Sequence, residues 1–185
     1  MQQRMRRHRI LLGLFALGLL AVAALTASPA QAASGIGPFF PEPAWDRKLP
    51  AATRFLVLTD WNSEAVLDKE TGLVWERSPA VGFYTWSIAR SVCMNSTTGN
   101  RKGWRLPSIH ELQSLVHPAQ TNPALPLGHP FLNAQSTFWS ATTNAETPTH
   151  AWIVLLFANG FVNSNDKNLS NQVWCVRGGM QADQY

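Results

Sequence analysis

The chain has only two cysteines, Cys93 and Cys175, among its 185 residues. They stand 82 positions apart with no histidine close to either, which excludes the paired ligand spacing of a structural zinc site. Of the four histidines beyond residue 32, His110 and His117 fall on one predicted helix while His129 and His150 fall in loops, and no metal-ligand spacing emerges. A nucleophile elbow and a spaced carboxylate pair are both missing, so a hydrolase has no evident centre. No apolar run reaches the roughly 20 residues of a membrane-spanning helix; the run over residues 10–25 falls short.

What is present begins with an export signature. Arg4, Arg6, Arg7 and Arg9 precede the apolar run with no acidic residue among them, and Ala30-Gln31-Ala32 is a small-residue cleavage pattern. Residues 1–32 are therefore expected to be a cleaved signal peptide, and no cysteine follows the cleavage point to carry a lipid. Without the four arginines, Lys+Arg falls from 15 to 11 and equals the 11 Asp+Glu, so the formal +4 of the whole chain belongs to the signal. The mature protein is then neutral, which argues against a nucleic-acid partner, and it keeps no membrane span. A secreted or periplasmic location is expected. There a lone cysteine pair reads as a disulfide, which would stabilise a loop of this length by roughly 4–5 kcal/mol; two buried free thiols are the alternative.

Proline and glycine crowd residues 33–54, which read as an N-terminal arm ahead of one domain over 55–180 and a short tail over 181–185. Strands are predicted over 55–58, 65–67 and 73–75, the last two joined by a hairpin in which Gly72 supplies a positive φ and Asp68 caps the turn. Trp86, Ala89 and Cys93 recur at helical spacing behind a capping Thr85. Ser108 and Glu111 form a capping box for a second helix that Pro118 should end, which gives Glu111 a structural role. Further strands are predicted over 137–142, 151–157 and 173–177. The second of these is apolar on both faces as in a central strand, and it is followed by a two-residue turn at Asn159-Gly160. Cys175 on the last strand would bolt the first helix across the sheet.

These motifs, taken in order, resemble a known family. Asp68 with Thr71-Gly72-Leu73-Val74-Trp75, Trp86 with Ala89 and Cys93, Gly103-Trp104-Arg105-Leu106-Pro107-Ser108, Glu111-Leu112, Phe138-Trp139-Ser140-Ala141-Thr142, Ala151-Trp152 and Cys175-Val176-Arg177-Gly178-Gly179 look like the Lcl C-terminal domain, or DUF1566. The resemblance implies an α+β, C-type-lectin-like fold of the group that includes formylglycine-generating enzymes. That means a twisted antiparallel sheet with two flanking helices and one helix-to-last-strand disulfide. The family's named member is an adhesin that binds sulfated glycosaminoglycans. Here the only basic cluster after the expected signal peptide is Arg101, Lys102 and Arg105, and the calcium-lectin motifs Glu-Pro-Asn, Gln-Pro-Asp and Trp-Asn-Asp are absent.

The expected function is noncatalytic recognition, without cofactor or calcium, of a glycan or another envelope component; a protein-interaction or structural role is the alternative. Stacking a sugar on indoles while amides bind its hydroxyls makes Trp139, Trp152, Trp174, Asn163, Asn165, Asp166 and Asn168 the ligand-binding candidates, with Arg105 beside them. Cys93 and Cys175 are assigned to the bridge rather than to the copper site that an oxidase of this fold group would need.

Overall fold

The computed structural model describes residues 49–178. The expected signal peptide, most of the expected N-terminal arm and the tail lie outside the described residues. Helix α1 (Ala51–Arg54) leads into strand β1 (Phe55–Val57). The hairpin β2 (Ala65–Asp68) and β3 (Val74–Glu76) forms as its sequence predicts, with Gly72 at φ 74° and its N–H donating to the Asp68 carbonyl at 2.8 Å. Strand β4 (Ala80–Tyr84), helix α2 (Trp86–Asn95) and helix α3 (Ile109–Ser114) follow. Strands β5 (Thr137–Thr143), β6 (His150–Leu155), β7 (Phe161–Asp166), β8 (Asn171–Val173) and β9 (Val176–Arg177) complete the fold.

The strands form two sheets rather than the single antiparallel sheet expected. One has the order β1-β2-β3-β9 and the other β4-β8-β5-β6-β7, with β5 and β8 parallel. The expected last strand over 173–177 is split: β8 belongs to the five-stranded sheet and β9 to the four-stranded one. Trp174 and Cys175 make the crossing. Alternation in a sequence shows which way side chains point, and it carries no sign of a strand changing sheets between them.

The five-stranded sheet has an apolar core on each face. Phe138 and Val154 face a cluster that includes Ile109, Leu112 and Leu115 around α3, while Trp139, Ala151 and Ile153 face Ala89 and Cys93 of α2. This explains the unbroken apolar run of β6. The bridge joins Cys93 to Cys175 with Cα atoms 5.3 Å apart, so it ties α2 to the crossing segment and not to a strand.

Three local expectations change. Thr85 stands at the α2 N-cap without a side-chain bond, and the Lys167 carbonyl instead accepts from Trp86 N–H at 3.1 Å. Helix α3 has its full capping box but stops at Ser114, whose carbonyl accepts from Arg54, well before Pro118. The ladder between β6 and β7 ends at Leu155 and Phe161, which makes the loop longer than two residues. Leu156 leaves the ladder to enter the core, and its backbone bonds to Ala124 and Ser136 instead. Asn159 and Gly160 do take positive φ within that loop.

Folded structure also begins earlier than position 55. Arg54, read as arm, is 6% exposed and grips the fully buried Asp68 through Nε at 2.9 Å and Nη2 at 2.7 Å, with Nη1 2.7 Å from Glu70. Asp68 is thus an ion-pair partner as well as a turn cap. Replacing Arg54 with Ala leaves that carboxylate buried and unpaired, so urea denaturation should show a loss of about 3–5 kcal/mol, whereas the exposed Arg90→Ala should move stability by less than about 0.5 kcal/mol. Reduction of the bridge should cost up to about 4–5 kcal/mol, read from the same denaturation curves with and without reductant.

Candidate functional site

The most organised cationic surface gathers around Trp61, which ends the 3-10 turn Thr59–Trp61. The half-buried indole meets the buried Trp104 edge to face, with ring centroids 6.5 Å apart and planes at 85°. Arg101 and Arg177 hold their guanidinium carbons 5.2 and 5.3 Å from its ring centroid, distances at which a ring quadrupole attracts a cation. Arg177 also donates Nε to the Lys102 carbonyl at 2.8 Å, which joins the end of β9 to the loop that carries Lys102. The loop closes on Trp61 only because position 99 is glycine. Its φ is 63°, and a Cβ there would lie 2.8 Å from Trp61 Cβ.

Among the described residues, none of Arg101, Lys102 and Arg177 has a carboxylate within ion-pair distance. The nearby Glu64 turns one oxygen to Gly99 N–H at 2.7 Å. Two guanidinium groups over one ring, with donors still available and the exposed Lys102 beside Arg101 in the chain, make a surface suited to carboxylate, sulfate or phosphate groups.

Both halves of this surface share a root at Glu76. This carboxylate is 6% exposed; Oε1 accepts from the Ser96 and Thr98 hydroxyls, each at 2.8 Å, and Oε2 from Cys175 N–H at 3.2 Å. Ser96 and Thr98 begin the loop that leads to Arg101, and Cys175 lies just before β9 and Arg177. Burial pushes the Glu76 pKa up, against the lowering exerted by its three donors.

The residues singled out from sequence do not form one site. Trp139 and Trp174 are fully buried, with Nε1 donating to the Tyr84 and Glu76 carbonyls, so neither indole offers a face to a sugar. Their strand spacing suits core and surface equally; the covering helix and second sheet decide the matter. Trp152 is half-buried and packs on the α3 side of the sheet. By register Asn163 and Asn165 lie on the opposite face, paired with Ile153 and Ala151, while Asp166 pairs with His150. Asp166 accepts from the exposed Asn168 N–H at 2.8 Å. Arg105 is occupied by a two-pronged ion pair with Glu111, at 2.7 and 2.5 Å, and by the Gly178 carbonyl. Of the basic cluster read from sequence, Arg101 and Lys102 remain; Arg177 replaces Arg105, and Trp61 had no local motif to mark it.

Among the described residues no group of three or more His, Cys, Asp or Glu could hold a metal ion, and no helix is long and apolar enough to cross a membrane. A family model described as the Lcl C-terminal domain matches residues 64–177. No curated protein matches the chain.

The Glu76 shift has a testable sign. A carboxyl whose folded pKa exceeds its ordinary 4.5 stabilises the fold fully below that value and loses this contribution as pH rises through the raised one. Glu76→Gln does not titrate, so its stability relative to the parent should increase across that window in urea denaturation at stepped pH. A constant difference would contradict a raised Glu76 pKa.

Proposed function

The chain belongs to the Lcl C-terminal domain family, and on that footing we propose an exported, noncatalytic recognition domain that binds an anionic envelope polysaccharide at the Trp61 cluster. The observation that carries this reading is the pair of guanidinium groups, Arg101 and Arg177, held over one indole, with the exposed Lys102 next to Arg101 in the chain and no carboxylate within ion-pair distance of any of the three among the described residues. Guanidinium groups already stacked on a ring lose little freedom when they grip an anion, and their forks match carboxylate and sulfate oxygens directly, without calcium as a bridge. The two helices and the long bridge suit a C-type-lectin-like variant of the family. Export is favoured by that bridge, since disulfides persist in oxidising compartments.

Noncatalytic action fits the prior engagement of the acidic groups. Asp68 pairs with Arg54, Glu111 pairs with Arg105 and caps α3, and Glu76 fastens the strand crossing. A protein-interaction reading draws on β4, the end strand of its sheet, where Val81 and Phe83 are 72% and 64% exposed.

Titration calorimetry of the oxidised domain separates these readings. An acidic polysaccharide such as alginate or heparin should bind, more weakly as salt rises and unchanged by chelator, while neutral dextran should not. Arg101→Ala with Arg177→Ala should weaken binding at least about tenfold, since hydrogen bonds to charged groups contribute about 1.5–3 kcal/mol each. Equal binding of dextran, or an unaffected double variant, would overturn the proposal.

A further inference from the structure

A second aromatic and cationic cluster lies at the other end of α2. Trp86 opens the helix with its ring fixed by Nε1 donating to the Ser140 carbonyl at 2.8 Å. Arg90, one turn on, places its guanidinium carbon 5.0 Å from the ring centroid, and Lys167 places Nζ at 4.3 Å. Lys167 is itself held in place by the Thr143 hydroxyl at 2.9 Å and the Pro148 carbonyl at 2.8 Å. Its neighbour Asp166 spends one carboxylate oxygen on Asn168 N–H, and neither Arg90 nor Lys167 has a carboxylate within ion-pair distance among the described residues.

The chain segment that joins the clusters brings no acid of its own. No Asp or Glu occurs from Arg77 to His110, a stretch that holds Arg90, Arg101 and Lys102 and all of α2. A helix normally gains from acids in its first turn, yet α2 has none there. Ser87, Arg90, Ser91 and Asn95 are exposed on it and offer donors, alongside the exposed apolar side chains of Ile88 and Met94.

We infer that the ligand runs along α2 from the Trp61 cluster to a second cationic subsite made by Trp86, Arg90 and Lys167, so that the domain selects an extended acidic polysaccharide over a single terminal acidic sugar. This rests on the reading of the Trp61 cluster given above. The ten residues of α2, from Trp86 to the loop that leads to Arg101, span about 15 Å at 1.5 Å per residue. A chain that reaches both gains affinity because its second contact is intramolecular.

Calorimetry with size-fractionated acidic oligosaccharides, from disaccharides to long fragments of alginate or heparin, tests the span. Affinity should climb at least tenfold once fragments exceed the length of the helix. Arg90→Glu, which alters an exposed side chain, should abolish that climb. Lys167→Gln should act the same way, with near-ultraviolet circular dichroism verifying the fold. A flat length dependence, or a climb that survives Arg90→Glu, would overturn the second subsite. Loss of the climb in Arg90→Glu, together with unchanged disaccharide binding in Arg101→Ala with Arg177→Ala, would support the second subsite and sink the first.

Discussion

At Glu76 one buried carboxylate answers to two sheets at once. Its backbone closes β3 and bonds to Cys175 and Trp174, while its side chain holds Cys175 N–H and the Ser96 and Thr98 hydroxyls. The segment that crosses from β8 to β9 has no ladder of its own at Trp174 and Cys175, so these bonds substitute for one. Such a group carries a cost, because burial works against its charge and only the set of donors offsets it. The disulfide fixes the same crossing from the α2 side. Together they set where Arg101 and Arg177 stand relative to Trp61.

Local chemistry of the chain was legible in its sequence. The Gly72 hairpin, the Ser108 and Glu111 capping box, the apolar stripe of α2 and the doubly buried β6 each depend on neighbours within a turn or two. Strand β4 was not legible, because its alternation of half-buried and exposed positions gives no buried apolar face to recognise. The division of the C-terminal stretch between two sheets depends on Glu76, almost a hundred positions away. The site escaped for the same reason: Trp61, Arg101 and Arg177 meet only in the folded chain, whereas Trp139 and Trp174 carry conspicuous motifs because the core needs them.

Over residues 33–185 the charges balance as a sum but not as a surface. Acids pair with cations inside the fold at Arg54 and Arg105, while the stretch from Arg77 to His110 carries none. Separation of this kind gives a locally positive field without an overall basic charge, which is why pI and net charge are poor guides here. It also limits nonspecific attraction, since a distant polyanion meets a balanced molecule and only a close one meets the cations.

Strand β8 lies inside the five-stranded sheet, between β4 and β5, although it comes near the end of the described chain. The sheet therefore has a vacant middle lane until its latest strand arrives, and Cys93 waits for a partner in that same late segment. Folding cannot be completed progressively from the N-terminus. Closure is deferred until nearly all of the domain has emerged, which gives the chain a built-in delay between synthesis and its final locked form.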